Sequence, residues 1–488
     1  MVGKMRQGAK EVAPRLGDSL TLSANNGKIV EVASRPSAPQ TVTPRPIALK
    51  PRGLTKTHKR RSRPAFDCIA LLLQGGGALG AYQAGVYEAL SEAHLYPDWV
   101  AGISVGAINS ALIAGNPPEA RFDKLRKFWE LVTTPPLSGG AAPLAATENG
   151  PIRDLLDHAT DMMALVSAMG LTFFSSKPLE GHAAKIREFW ESTGRLFAAR
   201  GDVARGLVNQ VSAGVALAHG ANAFFARRIP APWLQPAGTV EATGYYDNAK
   251  LKATLESLVD FDRINAAEMR FSVGAVNVST GNFVYFDNAT HVIGPEHVMA
   301  SCALPPGFPP VEIEGECYWD GGIVSNTPLQ WVLESEPRQD TLAFQVDLWS
   351  ARGAIPRNMA EVETRRKEIQ YSSRTRASTD QFKHSQKIRN ALSNVLHWLP
   401  EELKDSPEFA VLSPVADHKV YNLVQLIYRA KRYEGHSKDY EFSRLSMEDH
   451  WRAGYHDTVR TLRHPEVIGR PDTSEGVLTF DLAQDGRE

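Results

Sequence analysis

The first third of the chain alternates short apolar runs with helical stretches. The continuous apolar run Cys68–Leu73 ends at glycines, which predicts a strand buried on both faces of a parallel sheet. A helical stretch over Ala81–Ala93, a second strand over Asp98–Ile103 and a second helix over Ala107–Ala114 follow. Gly115 is well placed to end that helix. This strand-helix-strand-helix order predicts an α/β layer fold with a mostly parallel central sheet.

Strand-like patterns return in the second half of the chain. Arg270–Val278 and Asn282–Phe286 flank Gly281, which predicts a hairpin. The proline-rich run Ser301–Pro310 predicts a loop, and Thr341–Asp347 predicts another strand. Beyond residue 350 the chain is polar and helical in character. We therefore expect a catalytic-sized domain over residues 66–350 and a helical C-terminal region over 351–488.

Residues 117–240 form the least regular part of the expected domain. They are rich in Ala and Gly, with helical spacing at Ile152–Met169 and Ala183–Phe197 and aromatic pairs at Phe173-Phe174 and Phe224-Phe225. This composition predicts a helical insertion. The insertion could be a packing surface or a lid over an apolar channel, and the pattern alone leaves both open.

Residues 1–65 differ from the rest in charge. They contain fourteen Lys and Arg against three acidic residues, a local charge of +11, and no aromatic residue. Such a segment cannot bury enough apolar surface to offset its chain entropy, so it is expected to be a disordered basic tail. It could also contact an anionic membrane.

Composition excludes several classes of protein. The formal net charge of the 488-residue chain is −1, which argues against a basic nucleic-acid binder. Three widely spaced cysteines offer no disulfide framework or metal-ligand spacing and indicate a reducing compartment. No signal peptide or membrane span is visible, and Val211–Ala226 is at most an amphipathic helix. We expect a cytoplasmic protein that could contact a membrane surface, and the sequence leaves its oligomeric state open.

A candidate nucleophile lies where the second strand meets its helix. The segment Gly102-Ile103-Ser104-Val105-Gly106 has the pattern and the strand-helix context of a nucleophile elbow. Flanking glycines allow the sharp turn, and the helix N-terminus favours negative charge near the serine.

Two further glycine motifs could complete this chemistry. Gly75, Gly76 and Gly77 follow the first strand, and their uncrowded N–H groups could bind an oxyanion. The alternative for this run is a tight turn without a ligand. Asp320, which precedes Gly321 and Gly322, could accept the Ser104 proton as a general base if the fold brings the two together. By itself such a motif is more often a plain turn.

These three motifs, in this order, resemble those of the patatin-like phospholipase family over about residues 66–350. The first spans Gly75 to Gly80, the second Gly102 to Gly106 and the third Asp320 to Gly322. The resemblance implies a three-layer α/β/α fold and hydrolysis of lipid acyl esters without a metal or other cofactor. It also implies a dyad of Ser104 and Asp320 with an oxyanion loop at Gly75–Gly77. Residues of about 350–470 are similar to an extra region in one bacterial subgroup of the family.

This sequence departs from the family pattern at two positions. Leu79 stands where the family usually has Arg, and Gln74 stands where relatives often have Asp or Ser. The backbone donors of the glycine loop depend on neither side chain, so the oxyanion assignment is retained.

Three other interpretations stay open at this point. Gly75, Gly77 and Gly80 also match a dinucleotide-binding pattern, with Asp98 as its acid. Histidines downstream would allow an α/β-hydrolase triad: His418, His436, His450, His456 and His464. Finally, the aromatic and basic residues of 428–433 and 450–451 could form a docking surface on a non-catalytic protein.

Overall fold

The computed structural model describes residues 62–133, 202–372, 375–431, 433–471 and 476–482. The predicted helical stretches at Ile152–Met169 and Ala183–Phe197 and the Phe173-Phe174 pair lie outside these residues. So does nearly all of the basic segment 1–65.

Twelve strands occur in the described parts of the chain. They are β1 (Cys68–Leu73), β2 (Trp99–Ile103), β3 (Gly220–Ala221), β4 (Phe225–Arg227), β5 (Tyr246–Asp247), β6 (Arg270–Asn277), β7 (Phe283–Asp287), β8 (Val311–Ile313), β9 (Glu316–Asp320), β10 (Thr341–Asp347), β11 (Tyr421–Ile427) and β12 (Val477–Phe480).

The described α-helices connect and flank these strands. They are α1 (Ala81–Glu92), α2 (Val105–Ala114), α3 (Pro118–Val132), α4 (Asp202–His219), α5 (Ala249–Leu258), α6 (Phe261–Asn265), α7 (Pro295–Ser301), α8 (Leu329–Glu334), α9 (Met359–Tyr371), α10 (Thr375–His397), α11 (Pro407–Leu412) and α12 (Arg444–Thr461).

Nine strands form one mostly parallel sheet in the order β12-β11-β10-β1-β2-β6-β9-β8, and β7 pairs with β6. Strands from β12 to β6 are parallel, whereas β7 and β9 run antiparallel to β6. Every residue of β1, β2 and β10 is buried, as expected for strands covered by helices on both faces. The predicted α/β fold with a mostly parallel central sheet is confirmed.

The strands predicted from periodicity occur where they were expected. The hairpin between β6 and β7 turns at Gly281, whose φ of 71° favours glycine. The residues after α7, from Cys302 to Pro310, form an irregular loop.

The region 117–240 is only partly helical in the described residues. Besides α3 and α4, it contributes β3 and β4, which join β5 in a separate three-stranded sheet. Of the segment Val211–Ala226, considered as at most an amphipathic helix, the residues up to His219 belong to α4, which begins at Asp202.

The C-terminal region contains helices, as predicted, and it also extends the main sheet. Strand β11 pairs in parallel with β10, and β12 pairs with β11. Neither strand was predicted. The all-buried strand β10 is therefore an interior strand of the sheet.

Helix α12 packs closely against α1 because each helix presents a glycine to the other. A Cβ atom on Gly454 would overlap the Tyr82 carbonyl oxygen, and one on Gly85 would overlap the Trp451 carbonyl oxygen. The Tyr82 hydroxyl also donates a hydrogen bond to Asp457 at 2.9 Å. The C-terminal region is thereby packed against the first helix of the fold.

The variant Gly454→Ala tests this contact. The added methyl group would overlap the Tyr82 carbonyl and force the backbones of α1 and α12 apart. We therefore expect the free energy of unfolding to fall by about 1–3 kcal/mol. Gly214→Ala is the matched control, because Gly214 also lies in a helix and nothing surrounds its Cβ position within 4 Å. Helix propensity should make that control neutral or up to about 1 kcal/mol more stable. Equal urea midpoints for both variants would contradict the close packing.

Candidate active site

Ser104 occupies the sharp turn between β2 and α2. Its φ of 56° and ψ of −127° lie in a region that non-glycine residues rarely adopt. A Cβ on Gly102 would overlap the Gly106 carbonyl, and one on Gly106 would overlap the Leu73 carbonyl. Both flanking glycines are therefore required for the approach of helix to strand, as a nucleophile elbow needs.

Two residues at the C-terminal end of α7 hold the backbone of Ser104. The Ser104 N–H donates to the Ser301 hydroxyl at 3.1 Å, and that hydroxyl donates to the Gly274 carbonyl at 2.7 Å. The Cys302 thiol donates to the Ser104 carbonyl at 3.0 Å. Sequence reasoning missed Ser301 and Cys302, since it included both in the predicted proline-rich loop, whereas Ser301 ends α7 and Cys302 caps it.

Strand register explains why the three predicted motifs meet. Leu73 pairs with Gly102, so Gly75 comes level with Ser104. Ile103 pairs with Gly274, and Ala275 pairs with Asp320 at the end of β9. Gly75, Ser104 and Asp320 therefore lie at one level of the sheet.

The carboxyl group of Asp320 is buried beside Ser104. It is 1% exposed and accepts hydrogen bonds from the Ser104 hydroxyl and from the Gly322 N–H, the latter at 2.7 Å. Burial raises the pKa of Asp320 to about 7, although both hydrogen bonds favour its charged form. A Cβ on Gly321 would lie 2.6 Å from the Gly274 carbonyl, so this glycine lets β9 turn close to β6.

The glycine loop contains two free backbone donors. The Gly75 N–H donates to the Asn326 carbonyl at 3.3 Å, and the Ala78 N–H donates to the Asp439 carbonyl at 2.7 Å. Between them, the N–H groups of Gly76 and Gly77 make no hydrogen bond with any described residue. Both glycines line the pocket described below.

Polar side chains hold the glycine loop in place through hydrogen bonds, a role that the sequence did not predict for them. Gln74 is fully buried, and its side-chain oxygen accepts from the N–H groups of Leu348 and Trp349 at 2.6 and 3.0 Å. The Gly75 carbonyl accepts from the Asn326 side chain and from the Trp349 indole, both at 3.0 Å.

Leu79 and Gly80, at the end of the glycine loop, are packed into the core. Leu79 is fully buried. A Cβ on Gly80 would lie 2.6 Å from Val105 and 2.9 Å from Trp129, so this glycine lets the loop approach α2 and α3.

A pocket of about 390 Å³ opens above Ser104 and Asp320. One wall is an aromatic cluster whose ring centroids lie about 5 to 6.3 Å apart: Phe224, Phe225, Tyr246, Phe308 and Phe442. Leu304, Pro305, Pro306 and Leu217 extend the apolar lining.

The C-terminal region supplies the polar end of the pocket. Lys367 lines it and donates to Asp439 at 2.5 Å and to the His436 carbonyl at 3.1 Å. Tyr371 and Tyr440 line the same end. An ion pair of Lys367 and Asp439 thus lines this end of the pocket, whereas the loop position 79 is apolar.

The geometry does not assemble a histidine triad among the described residues. None of the five downstream histidines lines the pocket. His450, in α12, is buried, and its Nε2 lies 3.5 Å from a carboxylate oxygen of Glu434. The oxygen that contacts Ser104 is that of Asp320.

The dinucleotide interpretation also lacks its acid. Asp98 lies at the amino end of β2, where it accepts the Ile69 N–H at 2.7 Å and pairs with Arg63. The glycine loop lies at the opposite, carboxyl end of the parallel strands.

The alternative of a docking surface at residues 428–433 and 450–451 does not fit three of its aromatic members. Tyr428, His450 and Trp451 are only 1–5% exposed. The Tyr428 hydroxyl donates to Glu434 at 2.7 Å, and the Trp451 indole donates to Glu88 at 2.5 Å. These aromatic residues pack the fold together and cannot contact a partner.

An elbow serine, a buried carboxylate and an apolar pocket at the carboxyl ends of a parallel sheet define the class of ester hydrolases. Within that class, a family model described as patatin-like phospholipase matches residues 71–332, more than half of the chain. The chain belongs to the patatin-like phospholipase family, as its motifs predicted. A second model, described as patatin phospholipase, matches residues 369–474, in the C-terminal region.

Curated relatives match over short stretches. Triacylglycerol lipase SDP1L of Arabidopsis thaliana is 38% identical over 69 residues, which are 14% of this chain and 8% of that protein. Lysophospholipase nte1 of Aspergillus terreus is 44% identical over 57 residues, or 12% of this chain and 4% of that one. The chain thus matches under a tenth of the length of either relative.

Among solved structures, the crystal structure of VipD from Legionella pneumophila aligns with 90% of this chain and 78% of its own. The TM-score is 0.32 at 16% identity, too low to carry an argument. Separately, no helix in the described ranges has the length and apolar character needed to cross a membrane.

The raised pKa of Asp320 predicts how Ser104 reactivity depends on pH. A carboxyl group can accept the serine proton only when it is charged, so reactivity should fall as pH drops through about 7. The rate of labelling by a fluorophosphonate probe, measured by mass spectrometry at Ser104, should follow a single rising titration with that midpoint. Probe hydrolysis in buffer is the control, and a rate constant that stays level from about pH 8 to 5 would contradict the prediction.

Proposed function

We propose that this protein hydrolyses lipid acyl esters through a dyad of Ser104 and Asp320 with an oxyanion hole in the glycine loop. The observation that carries the proposal is the hydrogen bond from the strained Ser104 to the buried carboxylate of Asp320, which otherwise accepts only the Gly322 N–H among the described residues. Membership of the patatin-like phospholipase family supports the same reaction class.

The first step is acylation of Ser104. Asp320 takes the hydroxyl proton while Oγ attacks the ester carbonyl, and the tetrahedral oxyanion accepts hydrogen bonds from the N–H groups of Gly76 and Gly77. The protonated Asp320 then gives its proton to the leaving alcohol, and an acyl-serine remains. Each oxyanion donor can be worth about 10²- to 10³-fold in rate.

The second step releases the acid. Asp320, again charged, takes a proton from water, which attacks the acyl-serine carbonyl. Collapse of the second tetrahedral intermediate breaks the acyl-serine bond, and Asp320 returns the proton to Ser104. A pKa of about 7 suits a group that must act as base and acid in turn.

The pocket lining supports a lipid acyl ester as substrate. The aromatic wall at Phe224, Phe225 and Phe308 can contact an acyl chain, because these side chains have no polar groups that would need hydrogen-bond partners. The two curated relatives are named as a triacylglycerol lipase and a lysophospholipase, and both names refer to lipid acyl esters. Contact of the basic segment 1–65 with an anionic membrane remains part of this proposal.

Substitution of either dyad residue tests the mechanism. Ser104→Ala removes the nucleophile and Asp320→Asn removes the base, so each should lower kcat for p-nitrophenyl acyl esters by about 10³-fold or more. Circular dichroism and a thermal melt establish that each variant is folded. Activity above a tenth of wild type in either folded variant would overturn the dyad.

The five histidines outside the pocket provide a second test. Replacement of His418, His436, His450, His456 or His464 by Ala should leave kcat within about threefold of wild type. Because His450 is buried, His450→Gln is measured beside it. A loss of about 10³-fold or more at one histidine, in a folded variant, would establish a triad instead.

A further inference from the structure

The connection between β4 and β5, residues 228–245, exposes an unusual set of apolar side chains. Ile229 is 86% exposed, Trp233 71% and Leu234 70%, and Val240 and Tyr245 are about half exposed. Short 3₁₀ turns at Pro232–Leu234 and Val240–Thr243 shape the segment. We call these five side chains, together with the half-exposed Leu217, the apolar rim.

Contacts join the apolar rim to the wall of the pocket. Leu217 itself lines the pocket, and its carbonyl accepts a hydrogen bond from the Tyr246 hydroxyl at 2.9 Å. The N–H groups of Tyr245 and Tyr246 donate to the carbonyls of Pro306 and Gly307, at 3.2 and 2.8 Å. Tyr246, Pro306 and Gly307 all line the pocket. The rim is therefore continuous with the pocket wall.

The composition of the segment matches a membrane interface. No charged residue occurs from 229 to 240, and Glu241 is the one acid before Asp247. Arg227 and Arg228 stand at the start of the segment. Exposed tryptophan and aliphatic side chains beside arginines are the combination that interfacial proteins insert at the boundary between headgroups and acyl chains.

We propose that the apolar rim docks on the surface of a lipid aggregate and so places the pocket where acyl esters are found. This inference rests on the proposed function, because it assigns the rim to the delivery of a lipid substrate. A water-insoluble ester must leave its aggregate to reach Ser104, and an apolar surface continuous with the pocket shortens that path through water. A protein partner would gain nothing from this continuity.

The experiment compares two matched double variants. Trp233→Ser with Leu234→Ser removes the centre of the rim, while Trp398→Ser with Leu403→Ser removes the same residue types elsewhere. Trp398 is 78% exposed and Leu403 50%, and neither lines the pocket. Both pairs are exposed, so neither variant should lose stability appreciably.

Three measurements are made on each full-length protein. Co-sedimentation with phosphatidylcholine vesicles, in a Ser104→Ala background, reports binding without hydrolysis. Turnover of p-nitrophenyl butyrate below its solubility limit reports the chemistry alone. Turnover of an emulsified long-chain ester reports both together.

The rim variant should bind vesicles at least about tenfold more weakly than wild type and lose at least about tenfold in turnover of the emulsified ester. Its turnover of dissolved p-nitrophenyl butyrate should stay within about twofold of wild type. The control variant should match wild type in all three measurements. Binding to these vesicles, which carry no net charge, should persist in about 0.5 M NaCl, since it is apolar.

Several outcomes would overturn the proposal. The first is equal vesicle binding by the rim and control variants. The second is binding that requires anionic lipid and disappears in salt. The third is a wild-type dimer, seen by light scattering, that only the rim variant loses. Failure of the proposed function is seen separately. Wild type that binds vesicles through the rim but hydrolyses neither ester would refute the hydrolase and leave the rim assignment standing.

Discussion

The site depends on how closely three stretches of backbone approach one another at the carboxyl ends of β1 and β2. Gly102 and Gly106 permit α2 to rise directly from β2 against the end of β1, and any Cβ at either position would overlap a carbonyl. The cost is the strained backbone of Ser104, which the surrounding structure must hold in place. Ser301 and Cys302 bind its two backbone polar groups from the neighbouring helix end, so the strain is maintained by hydrogen bonds rather than by local preference.

Asp320 adds an electrostatic constraint to this geometric one. Dipoles alone stabilise its charge, through the Ser104 hydroxyl and the Gly322 N–H, so burial dominates and the pKa rises from 3.8 to about 7. The folded chain then binds more protons than the unfolded chain between these two values. The free energy of unfolding therefore falls as pH rises through that interval, because folding must increasingly bury a charge. The charge state that favours proton transfer from Ser104 is the one that folding disfavours.

Sequence reasoning succeeded where local pattern and chemistry coincide. The apolar run of β1, the elbow at Ser104 and the order of the glycine motifs fixed the family and the type of sheet in advance. It failed where tertiary contact decides a role. Gln74 and Asn326 are ordinary polar residues until the fold places the Gln74 amide against the backbone of Leu348 and the Asn326 amide against the Gly75 carbonyl. The buried aromatic residues near 428–451 appeared to be surface groups because their partners, such as Glu88, lie hundreds of positions away. Strand β11 was overlooked because its apolar run is short and its surroundings are charged.

The position of β10 inside the sheet has a consequence for synthesis of the chain. Ser104 and Asp320 leave the ribosome well before β11 does. In a nascent chain that reaches only to residue 350, β10 has no β11 to pair with, so the edge of this otherwise buried strand is open to other unpaired strands. It also lacks the Asp439 carbonyl that binds the Ala78 N–H, and the Lys367 end of the pocket. Translation thus delivers the proposed nucleophile early and the groups that shape its pocket late. The nascent chain therefore passes through a long interval in which Ser104 is present without a finished site around it.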